Sequence, residues 1–382
     1  MIPKLSLRLI GVLMLLIAGT ALAQQTPTPA APQIAAESYV LMDYDSGQII
    51  ASRNPDLELD PASITKLMTS YVVFKQLEDG QVSLADEVRI SERAWRMPGS
   101  RSFVEVNERV PVEVLLKGMI VQSGNDASVA LAEHVAGSED AFAELMNFHA
   151  EQLGLQHSQF RNATGLPQDG HYVSALDMAK LSRALIREFP DYYAWYAIKR
   201  FSYNGIDQPN RNALLWRDES VDGLKTGHTE AAGYCLAASA KREDMRLISV
   251  VMKTDSESAR AAATQTLLNY GFRFFRTYKL YEAGQPITQT RVYYGDVTEV
   301  PLGVRRDFHV TVPRGRYDDL NGYVSLEESL QAPLSTERAV GTARVELDDT
   351  LLAQAPLYPL REVGEGGWWR SMSDWVSLWW QE

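Results

Sequence analysis

Ser63 and Lys66 stand three residues apart in the stretch Pro61-Ala62-Ser63-Ile64-Thr65-Lys66. On a helix that spacing puts both side chains on one face, within hydrogen-bond reach of each other. A serine hydroxyl becomes a nucleophile only beside a base, and a partly desolvated lysine amine can be that base. The pair therefore predicts covalent catalysis through serine, although Ser-x-x-Lys alone is common in unrelated chains. Two further polar motifs follow in order, Ser123-Gly124-Asn125 and Lys225-Thr226-Gly227. Singly, the first reads as an ordinary loop and the second as an ordinary start of a strand; the three together form a set.

The elements that must position these residues can be read from periodicity. Residues 39–44 and 48–52 flank the turn Asp45-Ser46-Gly47 and predict a β-hairpin. Pro61 suits the start of a helix through Met68, Tyr71, Val72 and Phe74 that stops near Gly80. Pro111 opens a helix carrying Val114, Leu115, Met119 and Ile120, which breaks at Ser123-Gly124-Asn125 before a second helix over about 126–135. Ser138 caps a third, over 139–153, and Ser174-Ala175-Leu176-Asp177 is a capping box for a fourth. The capping box accounts for Asp177 without a catalytic role. Strand character returns after Val221, with an antiparallel pair over 234–240 and 246–253, and a helix over 256–270 closing at Gly271. Strands, a helical block, then strands and a helix predict an α+β fold with a mainly antiparallel sheet. From residue 281 to 362 the pattern becomes alternating, as in Phe308, Val310 and Val312, and predicts a small all-β domain without obvious chemistry.

Both ends carry targeting signals. Lys4 and Arg8, an apolar run over 9–18 and Ala21-Leu22-Ala23 form a signal peptide, residues 1–23, and the Pro- and Thr-rich stretch 24–36 is a flexible lead-in. The protein is therefore expected to be exported. Cys235 is the only cysteine, so no intrachain disulfide can form; it is expected to face the core. Export without disulfides suits a bacterial cell-envelope protein with a large core. A net charge of -12 and no basic arm argue against nucleic acid as a partner. The histidines show no metal-ligand spacing, and neither a metal nor a cofactor is expected. Residues 367–382 hold five of the eight tryptophans. On a helix, Trp368, Met372, Trp375, Val376 and Trp379 share one face, which predicts an amphipathic membrane anchor. Arg370 is its only base, against Asp374 and Glu382, so burial of aromatic rings must supply the binding.

With all three motifs in order, the chain resembles the serine-type D-alanyl-D-alanine carboxypeptidases, low-molecular-mass penicillin-binding proteins of the penicillin-binding protein 5/6 group. The resemblance extends to Asn210-Arg211-Asn212, to the run from Val221 to Thr229, to Gly271-Phe272-Arg273-Phe274-Phe275 and to Pro313-Arg314-Gly315-Arg316. It implies a penicillin-binding/β-lactamase-like transpeptidase domain over 37–280, the small β domain over 281–362 and the anchor over 367–382. It also implies an enzyme on the periplasmic face of the inner membrane that trims D-alanine from peptidoglycan stem pentapeptides and is acylated by β-lactams. Ser63 would be the nucleophile, Lys66 its base, kept neutral in part by an ammonium at position 225, and Ser123 a proton relay. Asn125 would hold the peptide and Lys66; Lys225, Thr226 and Arg211 would take the terminal carboxylate. Gly227 would let the strand edge approach the substrate, and the backbone N–H groups of Ser63 and His228 would form the oxyanion hole. A DD-endopeptidase with the same machinery and a non-catalytic peptidoglycan-binding envelope protein are the alternatives. The sequence departs from the family pattern at Gly124, where the related motif has Asp, and at Thr164, where the best-matched relatives carry histidine. Residues 158–165 also lack the glutamate that class A β-lactamases use for deacylation, so slow release of penicillin is expected.

Overall fold

The computed structural model describes residues 28–326, 329–368 and 372. The signal-peptide reading and most of the tail lie outside these residues; of the tail, Trp368 and Met372 are helical and exposed at 67 % and 50 %.

Strands β1 (Ser38–Asp43) and β2 (Ile49–Arg53) form the predicted hairpin. The helical block follows: α1 (Lys66–Glu78), α2 (Val112–Gln122), α3 (Asn125–Ala136), α4 (Glu139–Gln152) and α5 (Ala175–Glu188). The chain then returns to the sheet as β3 (Val221–Thr229), β4 (Gly233–Arg242) and β5 (Met245–Thr254), followed by α6 (Glu257–Phe274). The five strands lie in the order β2-β1-β5-β4-β3, with every pairing antiparallel. Successive residues of β4 and β5 feed opposite faces, as a strand requires. Cys235, Ala237, Ile248 and Val250 join the core under the helical block, whereas Leu236, Ala238, Leu247 and Val251 join the core under α6. Cys235 thus faces the core as expected. Covering on both faces explains why the middle of each central strand is buried on both sides and, apart from Ser239 and Ser249, apolar rather than alternating.

Gly271 does not close α6, which runs on to Phe274. A Cβ there would lie 2.6 Å from Leu247 and 3.0 Å from Leu41, so the glycine lets the helix sit close on the sheet.

Strand β6 (Phe275–Tyr281) leads directly from α6 into the second domain, ahead of the boundary at 281 read from alternation. It pairs with β9 (Phe308–Pro313), while β7 (Pro286–Arg291), β8 (Glu299–Gly303), β10 (Asn321–Leu326), β11 (Gly341–Leu347) and β12 (Thr350–Pro359) form a sheet in the order β7-β8-β12-β11-β10. Val300, Leu302, Val310, Val312, Val345 and Leu357 fill its own core. The domains meet at a buried polar seam. Fully buried Asp43 accepts hydrogen bonds from Ser46 N and Oγ, both at 2.8 Å, and from Thr277 Oγ1 at 2.6 Å. Thr311 Oγ1 lies 2.7 Å from Ser46 Oγ and 2.9 Å from Thr277 Oγ1, closing the network.

Candidate active site

Ser63 lies in a short 3₁₀ turn, Ala62–Thr65, that runs straight into α1 at Lys66. The helix start predicted from Pro61 is therefore a tighter turn, but the three-residue spacing still places both side chains together. Ala62 enters the turn with φ +46°, a strained value for a residue with a side chain. Lys66 is only 1 % exposed, and its Nζ lies 3.1 Å from Ser63 Oγ, 2.7 Å from Asn125 Oδ1 and 2.6 Å from the carbonyl oxygen of Thr164. Three oxygens at these distances suit an amine that donates to Asn125 and Thr164 while its lone pair faces the Ser63 hydroxyl.

Burial lowers the Lys66 pKa from its ordinary value to about 7. Arg211 pushes in the same direction, while Asp126 and Glu139 push back. Lys225 is itself only 2 % exposed and is pushed well below the ordinary lysine range, first by burial and then by Lys66, so the two buried lysines oppose each other's charge.

Asn125 opens α3, and its Nδ2 donates to the Pro98 carbonyl at 2.6 Å. Ser123, buried between α2 and α3, has φ +64°, which turns the chain between the two helices. The departure at Gly124 has a steric reason: a Cβ there would fall 2.0 Å from Ser102 Oγ and 2.9 Å from Ser102 N. Ser102 is fixed in turn by buried Asp126, which accepts its N–H at 2.8 Å and that of Phe103 at 2.9 Å. An aspartate at 124 would collide with that loop.

Gly227 lies on β3, the edge strand of the sheet, beside Ser63. A Cβ at this position would be 3.1 Å from Ser63 N and from the Pro61 carbonyl oxygen. Arg260, on α6, holds the strand from behind by donating to the Gly227 carbonyl at 3.0 Å. Lys225 Nζ donates to the Thr226 carbonyl at 3.0 Å. His228 is exposed and stacks on Tyr234 at 4.0 Å. Arg211 donates to the Gln122 carbonyl at 3.3 Å, and no carboxylate among the described residues pairs with it.

Ser63, Asn125, Arg211 and His228 line one cleft of about 310 Å³ together with Gly99, Ser100, Thr164, Gly165, Leu166 and Thr229. Lys66, Ser123, Lys225 and Thr226 are buried, and no hydrogen bond joins Ser123, Lys225 or Thr226 to the Ser63–Lys66–Asn125 chain. Among the described residues, no group of three His, Cys, Asp or Glu could hold a metal ion. Asp177 accepts from His157 N at 2.7 Å and Ser158 Oγ at 2.9 Å, which gives it a structural role at the base of the 158–173 loop.

Several contributors carry no motif. The Thr164 and Pro98 acceptors are backbone carbonyls, invisible to a reading of side chains. Arg260 belongs to a helix remote in sequence from Gly227. Gly165, at φ +82°, is pressed so close to the nucleophile turn that a Cβ would fall 1.7 Å from the Ala62 carbonyl oxygen. The Gly-Leu step after Thr164 was the available signal. At position 164 the carbonyl reaches Lys66, while the side chain braces the loop by donating to Asn162 Oδ1 at 3.0 Å.

Comparison with known proteins agrees with this geometry. Residues 24–256 match the peptidase S11 family, described as D-alanyl-D-alanine carboxypeptidase, and residues 275–365 match the penicillin-binding protein 5 C-terminal domain. The chain is 44 % identical to D-alanyl-D-alanine carboxypeptidase DacA of Escherichia coli strain K12, over 93 % of this chain and 90 % of that one. The crystal structure of penicillin-binding protein 5 from Haemophilus influenzae superposes with a TM-score of 0.84 at 44 % identity, covering 88 % of this chain and all of that one. Penicillin-binding protein D2 from Listeria monocytogenes, solved in its ampicillin-bound form, gives a TM-score of 0.59 at 26 % identity, over 64 % of this chain and 100 % of its own.

Proposed function

The chain belongs to the D-alanyl-D-alanine carboxypeptidase family, and on that premise we propose how its residues divide the work of a serine-type carboxypeptidase that acts on peptidoglycan and binds β-lactams. The observation that carries the reading is the Ser63–Lys66 contact of 3.1 Å, with the lysine brought by burial to a pKa of about 7. A base with a pKa near the working pH combines a large neutral fraction with a strong pull on the proton.

Ser63 Oγ attacks the carbonyl carbon between the last two D-alanines of a stem pentapeptide as its proton passes to Lys66 Nζ. The oxyanion is held by the N–H groups of Ser63 and His228, which the close seat of Gly227 against Ser63 N brings to one side of the cleft. Collapse breaks the C–N bond. Ser123 passes the proton from Lys66 to the departing amine, D-alanine leaves and an ester remains on Ser63. Water then adds to the ester, its proton goes to the base, and cleavage of the C–O bond restores the Ser63 hydroxyl. Lys225, Thr226 and Arg211 receive the terminal carboxylate, whose charge favours the ammonium form of buried Lys225 beside the exposed guanidinium of Arg211. With a β-lactam the same attack opens the ring amide, but the amine stays tethered to the acyl group. The cleft lining contains no carboxylate, which supports slow release of that acyl-enzyme.

The mature enzyme is placed by this reading on the periplasmic face of the bacterial inner membrane, held peripherally by residues 367–382. The exposed helical pair Trp368 and Met372 supports such a docking face. Two experiments test the whole. Wild-type protein should take a covalent penicillin label and release D-alanine from a pentapeptide, and Ser63→Ala should do neither; an unlabelled wild type would overturn the catalytic reading. Deletion of 367–382 should abolish co-sedimentation with lipid vesicles, and unchanged sedimentation would remove the anchor.

A further inference from the structure

His171 is buried, 4 % exposed, in the loop that also supplies the Thr164 carbonyl to Lys66. Its Nε2 lies 3.1 Å from Thr65 Oγ1, in the turn between nucleophile and base. Its ring packs edge-on against Phe160 at 6.0 Å, and Nδ1 is buried with no protein partner among the described residues. The Thr65 hydroxyl and Nε2 therefore share a single buried hydrogen bond, the one polar contact of this ring among the described residues.

The loop grips the start of α1 at further points. Thr69 Oγ1 donates to the Ala163 carbonyl at 2.7 Å, and Gly165 packs on the Ala62 carbonyl. The loop is itself rigid at that point, because Asn162 Oδ1 accepts from Thr164 N at 3.1 Å and Gly165 N at 2.8 Å. His171 is the member of this grip that hydrogen-bonds the residue adjoining Lys66, and its ring hydrogen bond goes to neither Ser63 nor Lys66.

We propose that His171 is a positioning residue for acyl transfer: through the Thr65 hydroxyl it holds the strained turn in which Ser63 and Lys66 face each other. The proposal rests on the carboxypeptidase reading and extends it to a residue outside its motifs. The charged groups facing the ring are Arg161 and Lys66; burial first, and then these two, lower the His171 pKa to about 4, so the ring is a neutral strut across the working range.

The test compares His171→Phe, which keeps an aromatic ring without the hydrogen bond, with His171→Gln, whose amide can donate to or accept from the Thr65 hydroxyl. Acylation by penicillin and kcat/KM for D-alanine release should fall roughly 10- to 100-fold in His171→Phe, the scale of a lost buried hydrogen bond, and recover largely in His171→Gln. The loss should sit in kcat rather than KM, and the acid limb of the pH profile should move because the acceptors of Lys66 move with the turn. Thr65→Val should reproduce the loss, and the double variant should be no worse than either single one. A folded His171→Phe with the wild-type acylation rate and acid limb would overturn the proposal. If that variant does not fold, a wild-type rate in Thr65→Val overturns it instead. Wild-type labelling measured alongside keeps this outcome distinct from failure of the carboxypeptidase reading.

Discussion

Two polar clusters are buried in this molecule, one around Lys66 and one around Asp43, and they use burial in opposite ways. Lys66 meets three oxygens, none of them a carboxylate. Such dipoles satisfy an amine as well as an ammonium, so burial is left free to drive the proton off. Asp43 meets donors: one N–H and the hydroxyls of Ser46 and Thr277. Three hydroxyls serve four oxygen–oxygen contacts in that seam, so the Thr311 hydrogen can point to either Ser46 or Thr277. Every hydrogen there has an acceptor, and the cluster joins two domains. What separates the two is that Lys66 faces a hydroxyl that can react, whereas every hydrogen of the Asp43 seam is taken up inside the network.

The sharpest way to break this contrast is to remove each group. Replacing Lys66 with Met should lower acylation about 10³-fold or more, since a positioned base contributes 10² to 10⁴, while leaving Tm close to wild type, because losing the desolvation cost of the amine offsets the acceptors stranded at Asn125 and Thr164. A lysine titrating at about 7 also sets the sign of the pH dependence. The neutral base is lost as pH falls, so the acylation rate of the wild type should drop about tenfold per unit below that point. Rates flat down to pH 5 would contradict the assignment. Gly165→Ala forces a side chain into the Ala62 carbonyl at positive φ, and a loss of about 2 kcal/mol or more in stability, with slowed acylation, is expected by thermal melting and penicillin labelling. Asp43→Ala should do the reverse of Lys66→Met. Stranding its buried donors costs about 2–4 kcal/mol, visible as a fall in Tm, while kcat/KM of the folded fraction stays near wild type. The smallest shift of the pH profile is expected from Arg211→Gln, which removes a charge that opposes protonation of Lys66 and separately raises KM by taking a cation from the carboxylate pocket. The acid limb of acylation should move to higher pH by a fraction of a unit, and a movement to lower pH would reverse the assigned sign.

How far the site could be read from sequence depended on what kind of group each contributor is. Ser63, Lys66 and Asn125 announce themselves by side-chain type and order, whereas Arg211 came only through the resemblance of Asn210-Arg211-Asn212 to the family. Helices α4 and α5 announce themselves by Ser138 and Ser174, whose hydroxyls accept from Ala141 N and Asp177 N as caps should. The Thr164 and Pro98 carbonyls could not be seen, because every residue has a carbonyl and only the fold aims it. Gly271 misled because a glycine that stops a helix and one that seats it on a sheet look alike. The start of the β domain was read late because Phe275-Arg276-Thr277-Tyr278 belongs to both domains at once: Phe275 packs with the α6 core and Tyr278 with the β-domain core.

Gly165 and Gly227 flank the turn that carries Ser63, and Gly124 abuts the Ser102 loop; a Cβ would fall on the Ala62 carbonyl at Gly165 and on Ser102 at Gly124, and would press backbone at 3.1 Å at Gly227. Around this site the chain therefore encodes missing atoms, and a missing atom cannot be adjusted by degrees. Any single-step change at Gly124 or Gly165 adds matter where none fits, and one at Gly227 pushes on the Ser63 turn. The cleft can be retuned only through neighbours that already carry side chains, such as Ser100, Leu166 and Thr229. Adaptation to a new acyl donor, or escape from a covalent inhibitor, is channelled to that side of the cleft before any selection acts.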